Sequence, residues 1–257
     1  MPRKPREKSK SGIYHVMIRG VNRQEIFHED EDNRKFLEIL AKYTKDAGAK
    51  VYGWCLMGNH VHLLLAEGSE ELSKTMKRIG VAFAWYYNWK YRATGHLFQD
   101  RFKSEKVESD AYLLTVIRYI HQNPVKAGAV KRVEDWKWSS CSGYYGKRTY
   151  PVGLLDSGRI LSYFSDNKRL AVGLFKEFSE GENTDKCLDD EFRPRINDEE
   201  ARQEIIRALE GIQLTQVKSL PKLERDVIFR KVKKIDGVTQ RQAARILGVS
   251  PSLIFKA

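Results

Sequence analysis

Two short apolar segments on either side of a two-residue turn constrain the fold of this chain more than any other feature. They are VYGWCLM, residues 51–57, and HVHLLLAE, residues 60–67, with Gly58-Asn59 between them. Short apolar runs that flank a turn made of glycine and asparagine are typical of a β-hairpin. The sequence therefore predicts two antiparallel strands over residues 50–67.

The second of these strands carries two histidines, although the whole chain has only six. Residues i and i+2 of a strand share a face, so His60 and His62 should point the same way as Leu64, and the intervening residues should point the other way. Two neutral imidazoles on one face can bind the same divalent ion, but they need a third ligand to make a strong site. An isolated His-x-His pair is more often not a metal site, and the pattern alone leaves both interpretations open.

Strand and helix patterns alternate on either side of the hairpin. Strands are predicted at residues 12–20 and 101–107, and helices at residues 31–47, 69–92 and 109–124. Ser69 is expected to open the second helix. The order is β-α-β-β-α-β-α, and its first six elements match the ferredoxin-like pattern of an antiparallel sheet with helices on one face. We therefore expect an α+β fold with a mostly helical C-terminal extension. Many functions share this fold, so it identifies none.

The net charge of +12 is unevenly distributed along the chain. Residues 1–150 have 27 Lys and Arg against 17 Asp and Glu, residues 151–216 have 9 against 14, and residues 217–257 have 10 against 3. This predicts a sheet-containing domain at residues 11–150, an acidic helical connector at residues 151–216 and a small basic unit at residues 217–257. Surplus Lys and Arg attract nucleic acids, because binding releases condensed counterions. A basic protein without such a partner would have the same composition.

Signals for secretion and membrane insertion are absent from the sequence. MPRKPREKSK, residues 1–10, is a basic arm with no apolar region after it, so it is not a secretory signal. It could reach toward phosphates or be a tail without a partner. No run of about 18 apolar residues predicts a membrane span. Cys55, Cys141 and Cys187 are odd in number and far apart, which argues against disulfides and a thiolate zinc site, and we expect a cytoplasmic protein.

The basic unit at residues 217–257 has the pattern of a helix-turn-helix. Thr239 is placed to cap one short helix, Gly248 to end it, and Ser250 with Pro251 to begin the next. Units of this kind insert their final helix into a DNA groove. A small helical bundle that only packs on its neighbour would show the same pattern, so the DNA-binding role is a hypothesis.

A second candidate site lies on the helix predicted at residues 109–124. Tyr119 and Asn123 are four residues apart, so they lie on one helix face. They flank the stripe predicted to be buried, which is made of Leu113, Val116, Ile117 and Ile120. An amide oxygen is a suitable metal ligand, and a tyrosine one turn away would lie beside the same ion. Tyr119 as an amphipathic rim residue and Asn123 as a helix cap are the alternatives.

Taken together, the separated motifs resemble a known family. NRQEIFHED, GWCLMGNHVHLLL, GHLFQDRFKS, RYIHQNPVKAG and DWKWSS occur in this order over residues 11–146. In this they resemble the single-tyrosine HUH transposases of the IS200-like superfamily, most closely the REP-associated tyrosine transposases. The resemblance implies that residues 11–150 are a ferredoxin-like nuclease domain that cleaves hairpin-flanked single-stranded DNA through a 5′-phosphotyrosine intermediate.

Particular residues take on roles through this resemblance. It implies that Tyr119 is the nucleophile and that His60, His62 and Asn123 bind a divalent metal, Mg²⁺ or Mn²⁺. Shorter members of the family have glutamine at the position of Asn123. The implied partner is single-stranded DNA with a hairpin such as a REP-like palindrome, and the protein would act as a monomer or homodimer.

Further assignments and rival functions follow from the sequence. Arg101, Lys103 and Lys106 alternate along or near the fourth strand and could hold the DNA backbone, or they could form a solvated strand face. Aromatic residues crowd the segment 82–92, where packing is the favoured interpretation and base stacking the alternative.

A catalytically silent, sequence-specific DNA-binding regulator is the second function that the sequence allows. An RNA-binding module is the third, but the predicted strands offer few exposed aromatics.

Overall fold

The computed structural model describes residues 7–185, 187–188, 196–235 and 237–257. The chain forms two units, residues 1–189 and residues 190–257. The predicted acidic connector at residues 151–216 is thereby divided between them. Residues 1–6 of the predicted basic arm, residues 1–10, lie outside the described residues.

The first unit contains a four-stranded sheet. Its strands are β1 (Ile13–Arg19), β2 (Lys50–Met57), β3 (His60–Ala66) and β4 (Lys103–Lys106). The order across the sheet is β2-β3-β1-β4, and every neighbouring pair is antiparallel. The predicted hairpin is confirmed as β2 and β3. The fourth strand is shorter than predicted, because only four of its residues pair with β1.

Three long helices cover the sheet. They are α1 (Asp30–Asp46), α2 (Leu72–Tyr91) and α3 (Asp110–Lys126). Helices α1 and α2 share one hydrophobic core with Val61, Leu63 and Leu65 of β3, whereas α3 packs with Leu64 on the opposite face. The predicted order β-α-β-β-α-β-α and the α+β class with an antiparallel sheet are confirmed.

A buried carboxylate joins the first two helices. Asp32 of α1 is fully buried and accepts hydrogen bonds from Tyr86, Lys90 and Tyr91 of α2. Burial alone would raise the pKa of Asp32, but hydrogen bonds from Lys90, Tyr91 and the backbone outweigh this effect and lower the pKa to about 2. The carboxylate therefore stays charged and holds α1 against α2.

Short helices extend the core around α3. They are α4 (Cys141–Tyr144), α5 (Gly158–Leu161) and α6 (Lys168–Glu180). Phe175 of α6 stacks on Tyr144, with ring centroids 4.4 Å apart, and its ring also packs against His121 of α3. Residues 158–180 are therefore part of the first unit's core.

The second unit is helical in its described part. It contains α7 (Asp198–Ala208), α8 (Lys222–Lys233), α9 (Gln240–Leu247) and α10 (Pro251–Lys256). Thr239 caps α9, and Gly248 ends it with a positive φ of 62°. A separate core includes Ile205, Phe229 and Leu247. None of the described helices is both long and apolar enough to cross a membrane.

Candidate active site

The two histidines of β3 share the sheet face that α3 covers. His62 lies opposite Met17 of β1 and Cys55 of β2 in the strand registers, and both neighbours point to this face. The rings of His60 and His62 are 5.0 Å apart between centroids and nearly perpendicular, at 85°. The predicted common face of the two imidazoles is therefore observed.

Helix α3 presents Tyr119 to the same face. The stripe predicted to be buried, Leu113, Val116, Ile117 and Ile120, is at most 1% exposed and fixes the rotation of the helix. The ring of Tyr119 lies edge-on to His62, with centroids 5.8 Å apart. Only 6% of Tyr119 is exposed, so the strand and the helix bring a phenol and an imidazole together in a mostly buried site.

The close approach of α3 to the sheet depends on a residue without a side chain. A Cβ atom at Gly53 of β2 would lie 2.3 Å from Cδ1 of Ile117. The register of β2 against β3 shifts between Val51 and Gly53, which is a bulge-like irregularity. Gly53 therefore lets α3 pack near enough for Tyr119 to reach the histidine face.

Hydrogen bonds orient both imidazoles. Nδ1 of His60 is 2.6 Å from the side-chain oxygen of Asn59, which can only accept, so His60 donates from Nδ1 and Nε2 carries its lone pair. Nδ1 of His62 is 3.0 Å from Nε2 of His15. A histidine that binds a metal through one nitrogen commonly has its other nitrogen held in this way.

Burial keeps the inner histidines neutral. It lowers the pKa of His15 to about 3 and lowers that of His62 well below its ordinary value, with a further contribution to His62 from the neighbouring His15, His60 and Arg19. Neutral imidazole is the form that binds metals. The site therefore offers lone pairs rather than positive charges near neutral pH.

Two of the predicted ligands, His62 and Asn123, have a buried polar atom that lacks a hydrogen-bond partner among the described residues. Nε2 of His62 and the amide nitrogen of Asn123 are buried and make no hydrogen bond. A half-turn of the Asn123 amide would exchange its nitrogen for its oxygen, which is a metal ligand. Among the described residues, no three His, Cys, Asp or Glu side chains gather as a metal site. The predicted ligand set of His60, His62 and Asn123, two imidazoles and an amide, stays a prediction.

Two further residues at the site were not predicted from the sequence. His15 of β1 is fully buried and lies 5.9 Å from the ring of Tyr119 between centroids. Lys126 of α3 has its Nζ 5.1 Å from the centroid of the Tyr119 ring. Lys126 follows Tyr119 by seven residues, so helical periodicity alone could have located it. His15, in the middle of the apolar strand GIYHVMIRG, is harder to assign to the site from the sequence, because its hydrogen-bond partner His62 lies 47 residues away.

The predicted DNA contacts do not share one face. Lys103 pairs with Met17 in the register, so it is on the histidine side, whereas Lys106 pairs with Tyr14 on the other side. Arg101 precedes β4 and lines two grooves, one together with Ile18 and the other together with Tyr14. DNA binding by Arg101, Lys103 and Lys106 stays a prediction.

The crowded aromatic segment of α2 is divided between core and surface. Tyr86 and Tyr87 are buried, as the packing interpretation predicts, whereas Trp85 and Trp89 are exposed with parallel rings. Base stacking by these two tryptophans stays the alternative.

Comparison with known proteins adds the family. Residues 8–123 match the family of IS200-like transposases. Over these residues, called the transposase domain from here on, the chain is similar to that family. Transposases are enzymes, so the chain carries an enzyme domain, and the matched segment includes both β3 histidines, Tyr119 and Asn123.

Curated relatives agree with this family. A REP-associated tyrosine transposase of Escherichia coli K12 is 26% identical over 115 residues, which cover 44% of this chain and 67% of the relative. A Haemophilus influenzae protein assigned to the same group is 26% identical over 158 residues, which cover 57% of this chain and 89% of the relative.

Two solved structures are also similar to the chain. One is a REP-associated tyrosine transposase bound to a REP hairpin, with 21% identity, a TM-score of 0.49, and coverage of 59% of this chain and 89% of that one. The other is a Deinococcus radiodurans protein described as a transposase, with 20% identity, a TM-score of 0.34, and coverage of 47% of this chain and 97% of that one.

Proposed function

We propose that the transposase domain cuts and rejoins single-stranded DNA, with Tyr119 as the nucleophile. The observation that carries this proposal is the placement of the Tyr119 ring 5.8 Å from that of His62, whose Nε2 is buried without a partner. A buried nitrogen without a hydrogen bond destabilises the fold, and a bound cation at Nε2 of His62 would remove that cost beside the phenol of Tyr119.

The reaction is a transfer at phosphorus. The phenolic oxygen of Tyr119 forms a bond to the phosphorus, and the bond from phosphorus to the 3′ oxygen breaks. The phenol loses its proton, the departing oxygen gains one, and the products are a 5′-phosphotyrosine and a free 3′-hydroxyl. Because the number of phosphoester bonds is unchanged, a second 3′-hydroxyl can reverse the step and join a new strand without an energy donor.

His60, His62 and Asn123 are the residues proposed to hold a divalent ion, Mg²⁺ or Mn²⁺. Such an ion, when bound, would neutralise charge on the phosphate and orient it. The chain itself positions the phenol, excludes bulk water from its ring and keeps the imidazole of His62 neutral. The two nitrogen ligands also favour later first-row metals over Mg²⁺ in binding affinity.

Hairpin-flanked single-stranded DNA is the proposed substrate. The curated relatives are named for their association with REP elements, and the chain shares their motifs over the transposase domain. Lys126 and Lys103 supply positive charge on the site side of the sheet. Since Tyr119 and His62 meet within one chain, we propose that the tyrosine acts in cis and that a monomer suffices.

A covalent adduct tests the proposal. Labelled hairpin DNA with a single-stranded flank is incubated with Mn²⁺, and the product is separated on a denaturing gel. We expect an adduct that Tyr119→Phe abolishes without loss of DNA binding. Tyr112→Phe, on the same helix, is the matched control and should leave the adduct unchanged. An adduct that persists in Tyr119→Phe would refute the assignment of the nucleophile.

A catalytically silent, sequence-specific DNA-binding regulator is the second candidate function. The capped helix α9, the turn at Gly248 and the short helix α10 favour it, because their order is that of a helix-turn-helix. Tight binding of duplex DNA without any adduct under the same conditions would select this function over the first.

A further inference from the structure

We propose that His15 is a positioning residue that holds His62 in the tautomer whose Nε2 can bind a cation. The inference rests on the proposed function, because it takes His62 as a metal ligand. It adds a role for a residue of β1 that lies outside the proposed nucleophile and ligand set.

The contact between the two histidines is buried and direct. Both side chains are fully buried, and Nε2 of His15 lies 3.0 Å from Nδ1 of His62. The ring centroids are 5.2 Å apart and the planes are inclined by 33°. His15 lies opposite Leu64 in the register of β1 and β3, one pair beyond His62 on the same face. The sheet register therefore fixes the contact.

The tautomer decides whether His62 can bind a metal. If His15 donates, Nδ1 of His62 accepts and its proton lies on Nε2, which then has no lone pair for a metal. If His62 donates from Nδ1, Nε2 carries the lone pair. Nε2 is also the nitrogen of His62 that makes no hydrogen bond. The second arrangement turns this unsatisfied atom into a ligand, and it requires an acceptor at the position of His15.

The other proposed histidine ligand, His60, is also oriented by a hydrogen bond at its Nδ1. Nδ1 of His60 donates to Asn59, whose amide in turn donates to the backbone oxygen of Arg23. Asn59 lies in the hairpin turn, close to His60 in sequence. His62 has no polar side chain of this kind beside it in sequence, because residues 63–65 of β3 are all leucine. The acceptor for His62 therefore comes from the adjacent strand.

His15 also packs against the proposed nucleophile. Its ring meets the ring of Tyr119 edge to face, with centroids 5.9 Å apart and planes inclined by 67°. His15 is thus in contact with the proposed nucleophile and with the proposed inner ligand. A substitution there should alter metal binding first, because the hydrogen bond reaches His62 alone.

Metal affinity of the full-length protein tests the inference. Mn²⁺ is titrated and free Mn²⁺ is followed by electron paramagnetic resonance, without DNA, for the wild type, His15→Leu and His15→Gln. We expect His15→Leu to raise the Kd about 10–100-fold, which is the usual effect of removing an outer hydrogen-bond partner. His15→Gln offers an amide oxygen near the position of Nε2 and should recover part of the affinity.

His121→Leu is the matched control. His121 is also a fully buried imidazole, but it bonds to Ser140 on the side of α3 that packs against α4 and α6. Its loss should lower stability without changing the Kd for Mn²⁺. A Kd for His15→Leu within twofold of the wild type, or equal losses in the Leu and Gln variants, would overturn the inference.

A spectroscopic measurement on the unaltered protein covers the case in which His15→Leu does not fold. In ¹⁵N-histidine-labelled protein loaded with Zn²⁺, a diamagnetic probe, we expect His62 to be protonated at Nδ1 and bound at Nε2. A proton on Nε2 would overturn the inference. If the wild type binds neither ion, the metal site itself fails, which is distinguishable from a metal site that does not depend on His15.

Discussion

At the scale of single residues, the inner part of the site is built from polar side chains that are buried, those of His15, His62 and Tyr119. The common face of His60 and His62 was predictable, because strand alternation depends only on the chain itself. The contribution of His15 was not predictable in this way. It depends on which strand lies beside β3 and in which register, and both are set by packing across the whole sheet.

Neutral buried histidines lead to a prediction about pH. Burial lowers the pKa of His15 and of His121 to about 3. In the unfolded chain these groups titrate near pH 6.5, so below that pH the unfolded state binds more protons and the free energy of unfolding must fall. Between pH 6.5 and pH 5 we expect a loss of roughly 1–2 kcal/mol for each such histidine.

Urea unfolding of the metal-free protein at several pH values measures this effect. His121→Gln should be less stable at pH 7, where the weaker packing around the new side chain dominates, but its stability should fall less steeply between pH 6.5 and pH 5. Equal slopes for the wild type and the variant would contradict the assignment of His121 as a neutral buried group.

At the scale of elements, prediction succeeded where a pattern was local and failed where a tertiary contact intervened. Helix α2 was expected to begin at Ser69 but begins at Leu72. The hydroxyl of Ser69 donates to the backbone oxygen of Ala47 instead of capping α2. That bond ties the loop before α2 to the end of α1, and no local sequence rule reveals it.

The packing of α3 on β2 gives a prediction at this scale. Gly53→Ala would place a Cβ 2.3 Å from Cδ1 of Ile117, so the side chain or the helix must move. We expect a loss of about 1–3 kcal/mol in the free energy of unfolding, as for other overpacked cores. Adduct formation should fall further than stability alone explains, because Tyr119 moves away from His62 with the helix.

Two matched variants isolate the cause. Ile117→Val removes Cδ1, so the double variant with Gly53→Ala should recover both stability and adduct formation. Gly173→Ala in α6 meets nothing within 4 Å and should leave adduct formation unchanged. Failure of Ile117→Val to rescue the Gly53→Ala variant would show that the backbone of β2, rather than the contact with α3, requires glycine.

At the scale of the whole molecule, charge did not predict packing. Residues 151–216 are acidic as a block, yet residues 158–180 pack into the core around α3 and residues 198–208 contribute to the second unit. Net charge describes how a surface attracts a partner, whereas division into units depends on which apolar side chains meet. Phe175 and Ile205, in the same acidic block, lie in different cores.

This division redefines how DNA binding by the C-terminal unit must be tested. A truncation at residue 217 would expose Ile205 and Leu209, because both belong to a core completed by Phe229 and Leu247. Removing residues 190–257 takes away the second core completely and leaves the cores of the first unit whole. The removed segment includes residues 217–257, with 10 Lys and Arg against 3 Asp and Glu.

We expect this truncation to weaken hairpin affinity at least about tenfold at physiological salt and to make log K less dependent on log[salt]. Each phosphate that the truncated protein no longer neutralises should reduce the slope by ~0.7 for single strands. Adduct formation at saturating DNA should persist, because Tyr119, His62 and Asn123 all belong to the first unit. Fluorescence anisotropy across a salt series gives the affinity and the slope. If both match the full-length protein, the basic unit does not bind the hairpin, and its positive charge serves another partner.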